Sequence, residues 1–209
     1  SITRHDLLNQ LNSLQGYLEL ATMDRHENPE LAWSYIDKAV VILGQTVNTV
    51  KFTKEYQEIG IKTPIWQNCK NLVIKSLKHT SLHHVNLENH IPDDLEIYAD
   101  PLIEKVFSNL IENAVRYGGK ISKICIRFVK ENGASRIICE DDGDGVENHE
   151  KKKIFQYQYG KNTGQGLFLS REILSITGIL IEETGVFNHG ARFEILCPEG
   201  TIRFSDKDI

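Results

Sequence analysis

The chain has little of what would mark it as secreted, membrane-spanning or nucleic-acid-binding. Its four cysteines (Cys69, Cys125, Cys139, Cys197) lie far apart and form no CxxC pair. Free thiols in a reducing cytoplasm are therefore expected rather than a disulfide framework. No run of about 18 apolar residues exists, which excludes a helical membrane span, and no signal peptide is visible. Surplus positive charge is missing as well. The 24 Lys and Arg against 29 Asp and Glu leave a net charge of −5, so no overall basic surface attracts nucleic acid or an anionic membrane. An initiator methionine is also absent. The chain opens at Ser1 inside a helical pattern and is expected to be the trimmed end of something longer.

What is present divides in two. Residues 2–26 and 30–58 carry few strand signals, and "HENPE" (26–30) separates them, with Pro29 placed for a first helical turn. Leu7, Leu11, Leu14, Leu18 and Ala21 recur at spacings 4, 3, 4, 3; Trp33, Ile36, Val40, Leu43, Val47 and Val50 recur at 3, 4, 3, 4, 3. These are coiled-coil stripes. A two-helix hairpin buries little alone, whereas two hairpins make a four-helix bundle, so an all-α helical hairpin that dimerises through residues 1–58 is expected. In "RHDLLNQL" (4–11), His5 lies roughly 160° to 240° from the leucine stripe at about 100° per residue. Asn9, Asn12 and Gly16 share its exposed face. Asp6 offers a carboxylate that can fix the imidazole tautomer and leave Nε2 nucleophilic. The alternative is a plain solvated face.

From Pro64 onward helix and strand signals alternate, and 59–64 reads as a linker. Helices are expected at 68–79, from Pro101 to about Tyr117, and at 165–177; strands at 83–91, 95–99, 123–131, 135–141, 178–184 and 191–197. Asp100-Pro101 reads as an N-cap followed by proline. The tail 198–209 reads as polar and uninformative. The pattern predicts an α/β two-layer sandwich with a mostly antiparallel sheet.

Three motifs stand out in this half. "NLIENAVRYG" (109–118) places Asn109, Asn113 and Arg116 one turn apart beside a core face of Ile103, Phe107, Leu110 and Ala114. Half-buried amides need partners; Mg²⁺ on an amide oxygen and phosphate on the arginine would supply them, and helix-edge filler is the alternative. "EDDGDGV" (140–146) ends a strand with Asp141 and adds Gly143 and Gly145, which allow close backbone approach. A hairpin or calcium loop competes, although the ligand spacing is wrong for an EF-hand. "KNTGQGLFLS" (161–170) runs glycines into a helix start, where free N–H groups favour an anion. It is neither a P-loop nor a Rossmann fingerprint.

As a set, N-x-x-x-N, D-x-G-x-G and G-x-G-L behind an H-D-x-x-N helix resemble a sensor histidine kinase of two-component signalling, over nearly the whole chain. The resemblance implies a dimerisation and phosphotransfer domain at 1–58 and a Bergerat-type ATP-binding domain at 64–209. It makes His5 the phosphorylated residue. It places Asn109, Asn113, Arg116 and Tyr117 on Mg²⁺ and the phosphates, with Asn113 as metal ligand. Asp141 would take the adenine amino group beside Gly143 and Gly145. Thr163, Gly164, Gly166 and Leu167 would form the phosphate-side glycine motif, and Phe155 belongs to a mobile lid at about 147–163. "HGARFEI" (189–195) resembles the last glycine-containing strand. The family pattern differs at Arg116, where lysine is commoner, and at Asn162, where a glycine usually leads.

The same resemblance implies ATP and Mg²⁺ as cofactors and a response regulator receiver domain as partner, docking around Leu8, Asn12, Gln15 and the facing second helix. Asn9 would position a water for dephosphorylating that regulator. The fragment is expected in the cytoplasm, and any membrane anchor would lie in a missing N-terminal sensor region. Gyrase-like or Hsp90-like ATPases and anti-sigma-type serine kinases share the ATP fold, but typically carry glutamate where this chain has Asn109. A domain without its own base suits a neutral imidazole nucleophile. A degenerate kinase acting as a scaffold is the remaining alternative.

Overall fold

The computed structural model describes residues 2–82, 84–131, 133–159 and 164–205, without the side chains of residues 2–4 and 79. These form two compact units, 1–58 and 59–209.

The first unit is a helical hairpin of α1 (Ile2–Asp24) and α2 (Pro29–Glu58). Pro29 opens α2, where its missing N–H costs nothing. The seam between the helices is lined by Ala21, Ala32, Ala39, Thr46, Thr49 and Phe52. Small side chains let two helices approach closely. The Thr46 and Thr49 hydroxyls are satisfied by their own helix, donating to the Ile42 and Gln45 carbonyls at 2.9 and 3.0 Å. The leucine and valine stripes are not what closes this hairpin. Leu11, Leu18, Trp33, Val40, Leu43, Val47 and Val50 stay exposed. Among the described residues no helix is long and apolar enough to cross a membrane.

The second unit is an α/β sandwich. In chain order it holds β1 (Ile65–Asn68), α3 (Cys69–Ser76), β2 (Asn86–His90), β3 (Leu95–Ala99), α4 (Glu104–Tyr117), β4 (Lys123–Glu131), β5 (Ala134–Asp141), α5 (Gly166–Ser175), β6 (Leu180–Glu183), β7 (Arg192–Cys197) and β8 (Ile202–Phe204). A five-stranded sheet runs β2-β4-β5-β7-β6, antiparallel except for the β2/β4 pair. A second, three-stranded sheet runs β1-β3-β8. Period-2 alternation sets the two faces of β4, where Ile124 and Ile126 are buried while Cys125 and Arg127 lie on the other side. Helix α4 meets the core with Val106, Phe107, Leu110, Ile111 and Ala114. Asp100 caps the turn leading into α4, its Oδ1 accepting from the Leu102 N–H at 2.8 Å.

Two strands depart from expectation. β1 and β8 are short, mixed-polarity segments, and β8 falls in the tail read as uninformative. Tertiary contacts make β8 a strand. Arg203 lies 4.2 Å from the centre of the Trp66 ring and ion-pairs Glu96 at 2.6 Å, while Phe204 packs edge-on against Phe128 at 5.9 Å.

Candidate functional site

On α1, the His5 side chain is exposed, as its helical position predicts. Its Nδ1 lies 3.2 Å from the Asn9 amide nitrogen and 3.9 Å from Asp6 Oδ1. The nearer orienting group is thus Asn9, one turn on, and the Asp6 carboxylate stands at ion-pair distance rather than in a hydrogen bond. With the amide NH₂ donating to Nδ1, the ring proton sits on Nε2. A half-turn of the amide presents Oδ1 instead, moves the proton to Nδ1 and frees the Nε2 lone pair.

In the α/β unit, α4 is the spine that gathers motifs far apart in sequence. Near its start, half-buried Asn109 donates its amide NH₂ to the Gly166 carbonyl at 2.9 Å and to Ser170 Oγ at 3.1 Å, tying α4 to the first turn of α5. Asn113 follows half-buried one turn on, then Arg116 and Tyr117 toward solvent. Arg116 reaches Glu112 at 3.7 Å, both partly exposed, a pairing that holds the arginine only weakly. At the end of α4 the loop after β5 closes in. The Asp144 N–H donates to the Gly118 carbonyl at 3.0 Å. A Cβ on Gly143 would fall 2.2 Å from that same carbonyl oxygen, so no other residue fits. Gly145 follows at φ +70°.

Asp141, the last residue of β5, is held through one oxygen. Oδ1 accepts from the Gly143 N–H at 3.0 Å and the Ala191 N–H at 3.1 Å. Both bonds fall on Oδ1, and neither of these N–H groups occupies Oδ2. Burial pushes the carboxyl above its ordinary value, against the pull of the two N–H groups. Gly190 makes this approach possible: at φ +113°, a Cβ there would lie 1.9 Å from the Asp141 carbonyl oxygen. Gly164 and Gln165 precede Gly166 at the start of α5, with Leu167 half-buried inside it. Thr163 lies outside the described residues. Phe155, expected in a mobile lid, is buried here and packs edge-on against Phe193 of β7 at 6.3 Å. The middle of that segment is therefore anchored to the sheet.

Two features escaped the sequence reading. Asp142 fastens the loop to the start of β4, accepting from the Ser122 and Lys123 N–H groups at 2.9 and 3.0 Å and from Ser122 Oγ at 2.5 Å. The Ser122 hydroxyl chiefly holds its carboxyl below the ordinary range. Glu183, fully buried on β6, ion-pairs Lys151 at 2.8 Å and accepts from the Gly185 and Arg192 N–H groups at 2.9 and 3.1 Å. Lys151 also donates to the Gly185 carbonyl. A signal for this existed. Alternation along β6 puts Glu183 in register with buried Ile179 and Ile181, where a lone charge demands a partner.

A hairpin followed by this sandwich, with an aspartate-glycine loop and a glycine-led helix gathered on one asparagine-bearing helix, defines a Bergerat-type ATP-binding architecture behind a helical pair. A family model described as "Histidine kinase-, DNA gyrase B-, and HSP90-like ATPase" matches residues 99–201. The Alginate biosynthesis sensor protein KinB of Pseudomonas aeruginosa is 32% identical over 121 residues, 54% of this chain and 20% of that protein. The Sensor protein KdpD of Escherichia coli (strain K12) is 28% identical over 213 residues, 94% of this chain and 24% of that one. The solved structure of full-length ShkA in complex with AMPPNP shares the fold, with a TM-score of 0.64 at 16% identity over 99% of this chain and 47% of that one. The chain is thus similar to sensor histidine kinases over both of its units, and its α/β unit matches the broader ATPase family. It spans a quarter or less of the length of KinB and KdpD.

Proposed function

We propose that this chain binds ATP in the α/β unit, transfers the γ-phosphoryl group to His5 and passes it to an aspartate of a response regulator receiver domain. The observation that carries the reading is the bonding of Asp141, whose Oδ1 is occupied by two backbone N–H groups. A carboxylate oxygen so prepared suits the exocyclic amino group of adenine. Asn113 offers a hard amide oxygen that would hold Mg²⁺, which neutralises phosphate charge when bound. Arg116, loosely held by Glu112, is available to the phosphates. The N-terminus of α5 presents backbone N–H groups toward an anion.

The rival water-activating ATPase and hydroxyl-activating serine kinase fit less well. Both need a base at the position of Asn109, and the Asn109 amide is committed to Gly166 and Ser170. A domain without a base requires a nucleophile competent at neutral pH, and the exposed imidazole of His5 is one. Catalysis is then mainly positioning. Asn9 orients the ring through Nδ1 and also lies where it can hold a water against the regulator's aspartyl phosphate, which supports a second, phosphatase activity. Leu8, Asn12 and Gln15 extend the exposed surface that the regulator would meet.

The hairpin dimerises in this reading. An exposed stripe containing Trp33, Val40, Leu43, Val47 and Val50 on α2, facing water beside Leu11 and Leu18 on α1, is what a second hairpin would bury in a four-helix bundle. Mg-ATP should label the chain with phosphate that survives alkali and is lost in acid. His5→Ala should abolish the label while leaving ATP binding intact; persistence of label in that variant, or acid-stable label, overturns the assignment.

A further inference from the structure

The solvent face of the five-stranded sheet carries a second cluster. Glu88 and His90 alternate onto the same side of the edge strand β2. The parallel register sets Glu88 beside Cys125 of β4. A carboxylate oxygen, an imidazole nitrogen and the Cys125 sulfur all lie within 4.8 Å of one another. Glu88 Oε2 is already 3.1 Å from His90 Nε2. From these positions we infer that Glu88, His90 and Cys125 form a binding site for a divalent transition cation of the zinc class. The inference does not rest on the kinase reading.

Three arguments carry it. First, backbone pairing, not flexible loops, fixes the ligands. A tetrahedral zinc site with bonds of about 2.0 to 2.3 Å needs donor atoms roughly 3.5 Å apart, which side-chain rotation of about 1 Å supplies. Second, the donor set is selective. Thiolate and imidazole suit zinc, cobalt or copper and disfavour Mg²⁺ or Ca²⁺, which prefer all-oxygen sites. Third, the charge balances. A carboxylate, a thiolate and a neutral imidazole together neutralise a dication. His90 is exposed, so water can complete the fourth position.

Binding follows a balanced exchange. The Cys125 thiol loses its proton to solvent, the sulfur lone pair forms the metal bond, and one coordinated water leaves. Burial and then Glu140 hold that thiol above its ordinary value, opposed by Lys123 and Arg127. Glu140 faces Cys125 across the β4/β5 register, and Arg127 pairs with Glu140 at 3.2 Å. Because coordination releases the thiol proton, affinity falls as pH drops. Lys123 competes with the cation, its ammonium lying 2.8 Å from Glu88 Oε2; metal binding has to displace it.

The test is titration of the full chain with Co²⁺ and then Zn²⁺. The site predicts a single Co²⁺ per chain with a thiolate-to-cobalt charge-transfer band that Zn²⁺ bleaches and Mg²⁺ does not. Cys125→Ser should remove the band. His90→Ala, on an exposed side chain that the fold does not need, should weaken binding at least about tenfold. Lys123→Met should tighten it. A wild-type chain without the band, a band that survives Cys125→Ser, or affinity indifferent to His90→Ala overturns the site. Unchanged or weaker binding in Lys123→Met overturns the placement of Glu88 in it.

Discussion

The two units solve the burial problem in opposite ways. In the α/β unit the largest side chains are hidden completely: Phe107, Leu110, Ile124, Ile126 and Ile195 are at most 1% exposed. In the hairpin the buried positions are alanines, threonines and a single large side chain, Phe52, while Trp33, Val40 and Val47 are 65%, 61% and 44% exposed. Burying a large aliphatic side chain contributes about 1.5 to 3 kcal/mol. One unit has therefore already gained this term, and the other still holds it in reserve. That difference assigns roles. Under the proposed function, a self-sufficient sandwich would bind nucleotide alone, whereas the hairpin would become a firm platform for His5 only when a second copy covers it.

The sharpest way to break this contrast is to separate the units. Residues 1–58 alone should lose helix on dilution, with a melting temperature that climbs with concentration in circular dichroism. The 59–209 fragment should melt at the same temperature at every concentration and scatter light as a monomer. A concentration-independent hairpin would end the argument for a dimer.

Next in size is the buried ion pair of the sandwich. Lys151→Met leaves Glu183 charged and unpaired in the core, which should cost the unit about 3 to 5 kcal/mol, read as a lower denaturant midpoint. Adding Glu183→Gln should recover most of the loss. If the double variant is as unstable as the single one, the pair does not hold the segment base in place. Comparable in scale, Ile126→Ala should cost about 2 to 5 kcal/mol at any concentration. Leu43→Ala should show its loss only through the monomer-dimer equilibrium.

A smaller effect is pH-dependent. Burial raises the Asp141 carboxyl above its ordinary value of 3.8, so between those values the folded protein binds more protons than the unfolded chain. Stability must then fall as pH rises through that window, and recover when the charge is removed. The stability difference between wild type and Asp141→Asn, followed by urea titration from acid upward, should move in favour of the variant. A flat difference would show that the carboxyl is not held in a desolvated place. In the same variant ATP affinity should drop roughly 5- to 150-fold by calorimetry, since an unpaired buried polar group costs about 1 to 3 kcal/mol. Smallest of all, Arg116→Gln should leave the melting curve unchanged and weaken ATP binding. Equal affinity would leave the arginine without a phosphate.

The elements with strong periodicity were legible in the sequence. Both long helices, the capped entry at Asp100-Pro101 and the alternating β4 and β5 follow from local rules. β1 and β8 were not, because each is a few residues long and becomes a strand only by pairing with β3. The face of the hairpin was half legible. The stripe was visible, but the seam of Ala32, Ala39 and Thr46 that joins α1 to α2 has no hydrophobic signature. In the candidate site, Asp141, Gly143 and Asn109 could be picked out by motif. That Asn109 acts as a tie to Gly166, and that Asn9 rather than Asp6 sits closest to the His5 ring, depended on side-chain geometry that no spacing encodes.

The central claim is a division of labour, in which the sandwich handles ATP and the hairpin accepts the phosphoryl group. Mixing the 59–209 fragment with an excess of the 1–58 fragment and labelled Mg-ATP tests it most directly. The account predicts acid-labile, alkali-stable label on the 1–58 fragment alone, absent when that fragment carries His5→Ala. Label retained on 59–209, or label that His5→Ala does not remove, would contradict it.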